Sequence, residues 1–289
     1  MAATSQVLPI SYAPVKRGSL ARLVHDTWTL YRRAIIRMTR APAQLYFSLI
    51  QPLVWFLLFG QLFSRLTSFA GGRSNFGTDN YETFFLPAII IQMILFGATS
   101  SALGIINDDQ TGYLNKLRVA PINRFSILFG SLLADLTRML VQVVVLTVIG
   151  LIFGVRIAHY WYFLTFGVVI VVFFGLMMGG IGLYIGLSTR STQATFLIIN
   201  FLTLPLLFTS SAQLPISLLP DWMQVVAHVN PLTYAIDSLR AIVVGLNQQQ
   251  INDGNSVIGM VAQAFLILGV LMLIMLTLAV RKFSKQVAK

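Results

Sequence analysis

Apolar positions fall into six long runs, approximately 44 to 64, 83 to 106, 132 to 154, 161 to 187, 194 to 211 and 257 to 280, with Asp, Asn, Lys and Arg collected between them. A bilayer core of about 30 Å takes roughly 20 apolar helical residues at 1.5 Å each, so each run reads as a span or nearly one. The fifth is the shortest and contains Pro205. The pattern predicts an all-α integral membrane protein with six transmembrane helices.

Two stretches outside these runs have their own periodicity. Residues 19 to 40 put Leu20, Leu23, Val24, Trp28, Tyr31 and Ile35 on one helical face and Arg22, Asp26, Arg33, Arg37 and Arg40 on the other. This is the pattern of an interfacial helix, with Trp28 and Tyr31 at headgroup depth and arginines near anionic lipid. A helix of a small cytoplasmic domain is the competing reading, but residues 1–43 are few for a separate core. Residues 212 to 256 hold two apolar stretches, Leu214 to Val229 and Leu232 to Gly245, interrupted by Pro215, Pro220 and Pro231. Neither can span, which suggests re-entrant or interfacial helices before the last span; an amphipathic cap on the outer surface is the alternative. Asp237 and Arg240 are three apart and can pair on one face.

Composition agrees with a membrane solvent: 56% of residues are hydrophobic and 10% charged, against about 25% charged in soluble domains. The net charge is +11, yet the basic residues form no dense run of the kind that grips nucleic acid. Their distribution orients the chain instead. Fifteen of the 20 Lys and Arg lie in residues 1–43, in the segment after the second run, at Arg190 and in the tail 281–289; Arg65, Arg73, Arg156 and Arg240 lie opposite. Both termini and the loop after the second run are therefore expected to be cytoplasmic. No basic segment followed by a short apolar run and cleavage site precedes Gln44, so the first span is expected to act as its own insertion signal.

Polar residues inside the runs are sparse. In the third, Ser131, Asp135, Arg138 and Gln142 share one helical face near the cytoplasmic end of the predicted span. There Arg138 can snorkel and pair with Asp135, so a structural role and a place on a transport pathway both remain open. The fourth run carries Gly175, Gly179, Gly182 and Gly186 at the same spacing. Such a stripe lets another helix approach closely, within the same bundle or from a second subunit. In the loop 107 to 121, Leu114 and Leu117 are three apart and bounded by Pro121. A short helix there could insert into a cytoplasmic partner; an inert connection is the alternative.

Several chemistries are missing. There are no cysteines, and none of the lysines follows a glycine, so no phosphate-cradling GxxxxGK loop exists. His25, His159 and His228 lie in separate segments and read as interfacial residues, leaving no catalytic constellation, metal site or bound cofactor in this chain. The span centres lack the carboxylates usual in ion-coupled carriers, so energy is expected from a partner.

The order of parts resembles the ABC transporter type-2 permease family, in particular the daunorubicin-resistance-type exporters. The most specific stretch runs from Phe208 to Arg240, with Leu219-Pro220-Asp221-Trp222, Asn230-Pro231 and Asp237-Ser238-Leu239-Arg240. The resemblance implies a domain layout of a cytoplasmic segment 1–43 with a connecting helix, a permease domain 44–280 and a basic tail 281–289. It implies that Asp108, Asp109, Gly112, Leu114, Leu117, Arg118 and Pro121 belong to a coupling loop docking on a separate nucleotide-binding subunit that holds ATP and Mg. It further implies a second permease chain, lipid contacts, and an outer gate carrying Pro215, Pro220, Trp222, Asn230, Pro231, Asp237 and Arg240. Many relatives have a glutamate before the loop glycine, where this chain reads Asp108-Asp109-Gln110-Thr111-Gly112. The implied activity is outward movement of hydrophobic or amphiphilic compounds, drug-like or lipid-like, across a bacterial-type plasma membrane. Polysaccharide or teichoic-acid carriage is the family alternative, and an ion-coupled carrier a more distant one.

Overall fold

The computed structural model describes residues 20–40, 42–65, 76–112, 124–246, 254 and 256–287. Its elements are helices: α1 (Leu20–Arg40), α2 (Pro42–Phe63), α3 (Tyr81–Gln110), α4 (Arg124–Ile152), α5 (Tyr160–Thr189), α6 (Thr192–Phe208), α7 (Asp221–Val229), α8 (Pro231–Val243) and α9 (Val257–Val287). The apolar runs thus form an all-helical membrane protein. Four of the helices, α3, α4, α5 and α9, are long and apolar enough to cross a bilayer, and α2 and α6 supply shorter apolar stretches.

Local chemistry sets several boundaries. Asn80 caps α3, its side-chain oxygen accepting the N–H groups of Glu82 and Thr83 at 2.9 and 3.4 Å, and Glu82 faces the positive end of the helix. The far end of α3 closes when the Thr111 N–H returns to the Asn107 carbonyl and Gly112 takes a positive φ of 69°. The polar residues Asn107 to Gln110 therefore form the last turn of α3, where the sequence suggested a loop; nothing in their side chains breaks a helix, and the glycine does. Ser191 caps α6, its hydroxyl accepting from Ala194 N at 3.4 Å. Before it, Arg190 turns left-handed at φ 52°, donating its N–H to Gly186.

The helix α3 is the hub. It packs against α5, α4, α2, α6 and α8, and every residue from Thr83 to Leu95 is buried. The main core gathers on its first half, with Phe84, Phe85, Ile90 and Ile94 against Phe174, Leu239, Ile242 and Leu268. A smaller core at the α1 end joins Ile105 and Ile106 to Leu128, Leu132, Leu187 and Phe283. The helices α7 and α8 stand at the opposite end, beside the starts of α3 and α5.

The first helix lies across its end of the bundle. The Ser126 hydroxyl, near the start of α4, donates to Leu23 O at 3.2 Å, while Arg37 reaches Asp108 near the end of α3. The buried line of α1 runs through Thr27 and Leu30, the latter against Gly130. Tyr31, expected among headgroups, bonds Thr137 on α4 at 3.1 Å and lies tilted beside Trp28. Val24 and Trp28 remain exposed.

Candidate functional site

The external segment predicted before the last helix divides into two unlike helices. Pro220 starts α7, its carbonyl accepting from Met223 and Gln224 at 2.8 and 3.1 Å, and Pro215 starts a 3-10 turn over Ile216–Leu218 in the same way. Of α7 only Ala227 is buried, and Trp222, Val225, Val226 and Val229 form an exposed apolar face. By contrast, α8 buries ten of its thirteen residues. Pro231 occupies its first turn, where no N–H is needed. Asn230 caps it by accepting from Leu232 N at 3.0 Å, and its amide donates to Leu206 O at 2.6 Å, taking up a carbonyl from the last turn of α6.

Asp237 and Arg240 meet on α8 at 3.0 Å. Arg240 is 7% exposed, and its guanidinium donates to Phe84 O at 3.3 Å, Ser211 O at 2.8 Å and Ala212 O at 3.4 Å while lying over the Phe84 ring. Ser211 Oγ donates to Asp237 at 2.6 Å, and Tyr81 OH donates to Gln213 O at 2.9 Å. One buried ion pair, with its hydrogen-bonding capacity well used, thus ties α8 to the start of α3 and to the turn after α6.

A second polar seam crosses the middle of the bundle. Asp135 accepts from Ser101 Oγ on α3 at 2.5 Å and pairs with Arg138 at 3.2 Å; Arg138 also donates to Ser100. Gln142 donates to Ser48 on α2 at 2.5 Å. Ser131, on the same stripe, turns back to Leu128 O within its own helix. The sequence placed these groups near the end of a span beginning at 132. The helix α4 itself starts earlier, at Arg124, so Arg138 stands fourteen residues from either helix end, about 21 Å of helix each way. Arg138 and Asp135 pair with each other there, their side chains 12% and 22% exposed.

The glycine stripe of α5 faces helices of its own chain. A Cβ at Gly175 would meet Leu136 and Met139 of α4 at 3.2–3.3 Å, and one at Gly179 would meet Leu132 at 2.8 Å. At Gly182 it would strike the carbonyl of Ala98 on α3, and at Gly186 that of Ala102 at 2.9 Å. Gly180, outside the stripe, gives α9 the same close approach, 3.2 Å from the Met275 backbone. A glycine off the repeating spacing has no periodic signal, which is why pattern reasoning passes over it.

At the α1 end, Asp108 pairs with Arg37 at 3.4 Å, both partly exposed. Arg33 lies below the ordinary arginine value, chiefly through partial burial and then through Arg37, with Asp108 pulling the other way. Asp109 and Gly112 finish this end of α3. Leu114, Leu117, Arg118 and Pro121 lie outside the described residues.

The hydroxyls of Ser100, Ser101 and Ser211 bond the charged groups, that of Ser48 bonds Gln142, and the ring of Phe84 lies under Arg240, yet none stands out in sequence. Serines are common in membrane helices, and only the partner across the interface marks these. The arrangement fixes helices around α3.

Comparison with known proteins places this architecture. Residues 25–244 match the ABC-2 type transporter family. The transport permease ycf38 of Cyanophora paradoxa is 34% identical over 227 residues, covering 75% of this chain and 73% of the relative. The daunorubicin resistance ABC transporter permease protein DrrB1 of Streptomyces coeruleorubidus is 25% identical over 230 residues, 80% and 79% of the two chains. The inner membrane transport permease YadH of Escherichia coli K12 is 25% identical over 235 residues, 78% and 87%. The matched region begins within α1 and ends just after α8, taking in the hub helix, the polar seam and the Arg240 staple, and on that match the chain is a multi-pass membrane permease belonging to the ABC-2 type transporter family.

Proposed function

We propose that this chain is the membrane subunit of an ATP-driven exporter of hydrophobic or amphiphilic compounds, powered by a separate nucleotide-binding subunit. The family match over residues 25–244 carries the reading, and the drug-resistance relative favours a small amphiphilic cargo. In this reading six helices, α2 to α6 and α9, cross the membrane, both termini are cytoplasmic, and two permease chains assemble. The coupling segment 107–121 begins in the last turn of α3, beside α1, where the Arg37–Asp108 pair would pass movement of a docked ATPase to both helices. The α7–α8 segment, held by Arg240, forms the outer gate, and α7 lays its apolar face against lipid or the second chain.

Leu114→Asp combined with Leu117→Asp tests this, in a strain that also expresses an ATP-binding subunit. The expected result is normal membrane insertion with loss of partner binding, of compound efflux and of compound-stimulated ATPase. Undiminished coupled ATPase in that variant would overturn the proposal.

A further inference from the structure

The two halves of α2 are held by different kinds of contact, aromatic rings after Pro52 and a polar bond before it. Toward α7 and α8, Phe56 is fully buried, the Phe59 ring lies 5.5 Å from Phe85, the Phe63 ring lies 5.3 Å from Tyr81, and Gly60 receives the Glu82 side chain. Toward α1, Leu49 touches the core, and Tyr46 and Ile50 are 68% and 50% exposed. A polar tie reaches this half from the Gln142 amide, which donates to Ser48 Oγ at 2.5 Å. Pro52 stands between the halves and has no N–H to give the carbonyl four residues back, which belongs to Ser48. A proline inside a helix removes that bond and makes the site the natural place to bend. Ser48 therefore stands one turn before the proline and carries the hydroxyl that Gln142 holds.

We infer that the α1-side half of α2 is a hinged flap, bending at Pro52 and latched to α4 by Gln142 and Ser48, whose release opens a lateral passage between α2 and α4. Gln142 is buried and lies one helical turn from Arg138, so the opened flap uncovers the seam of Ser100, Arg138 and Asp135 toward the bilayer side. A membrane-dissolved amphiphile would enter there, head first toward the polar seam; this last step rests on the export reading above, while the flap itself does not.

The absence of cysteine lets spin labels be placed on an otherwise unaltered chain. One pair, Tyr46→Cys with Val144→Cys, reports across the flap; a second, Leu62→Cys with Ile152→Cys, reports on the aromatic half, all four positions being exposed. Distances are measured by pulsed electron paramagnetic resonance on the purified chain in lipid nanodiscs, without any ATPase, so the outcome does not depend on the export reading. Gln142→Leu and, separately, Ser48→Ala should each at least double the share of long 46–144 distances while leaving 62–152 unchanged. Adding Pro52→Ala to Gln142→Leu should narrow the 46–144 distribution again. Unchanged 46–144 distances in both latch variants, equal broadening of both pairs, or no narrowing by Pro52→Ala would each overturn the proposal.

Discussion

The guanidinium of Arg240 lies 3.8 Å above the ring of Phe84 and also bonds that residue's carbonyl, so one side chain of α8 grips the first turn of α3 by ring and by backbone. Because Arg240 is buried beside Asp237, its removal leaves a carboxylate without its counter-charge. Arg240→Met should lower stability by about 3–5 kcal/mol, the usual cost of breaking a buried pair from one side. The double change Asp237→Leu with Arg240→Met should recover most of that loss. Thermal unfolding in detergent checks both, and equal damage from single and double variants would show that Asp237 is not the liability.

Close approach at Gly182 makes a contrast with Gly104 possible. A methyl at Gly182 collides with the Ala98 carbonyl, whereas one at Gly104 meets nothing within 4 Å. Gly182→Ala should destabilise by roughly 1–3 kcal/mol, as overpacking does. Gly104→Ala should stabilise α3 by about 0.5–1 kcal/mol through helix propensity. The two melting shifts are expected to have opposite signs.

The Arg37–Asp108 pair is more weakly built. Its side chains are 56% and 29% exposed at 3.4 Å, so a double-mutant cycle on stability should return at most about 1 kcal/mol. Raising ionic strength should reduce it further. A coupling well above that value would mean that these groups are shielded in the membrane-embedded protein.

Trp28 tests where α1 lies. With Trp55, Trp161 and Trp222 changed to Phe, the remaining indole, exposed on the face that α1 does not turn to α4, should be quenched by brominated lipids in nanodiscs. Fluorescence unaffected by bromine position would place that face in water or against protein.

Much of the helical layout is written in the hydrophobic runs, because lipid allows no unpaired backbone and apolar length then dictates helix. The 237/240 spacing likewise foretells a pair on one turn. What periodicity misses is helix extent and partner. Charged residues gave no warning that α4 reaches back to Arg124, since apolar Phe125 to Leu133 prolong the helix while α1 covers part of its flank. Ser101 and Ser211 look like any other hydroxyls until Asp135 and Asp237 are brought beside them. The α1 face that packs is rotated from the one the hydrophobic pattern selects: Thr27 is buried and Trp28 exposed, and Gly130 of α4 lets Leu30 and the Thr27 backbone come close.

The complete enclosure of α3 between Thr83 and Leu95 also bears on how the protein is made. During synthesis this helix enters the membrane before α4, α5, α6 and α8 exist, so residues that end with no lipid contact must first tolerate lipid on every side. Their apolar composition permits that, and later helices displace the lipid by shape rather than by hydrophobic force. Biogenesis therefore has a built-in order. A ribosome-stalled chain ending after α3 should already be inserted yet remain open to chaperones and proteases, and protection should arrive only with α8, when Arg240 closes over the first turn of the helix that waited for it.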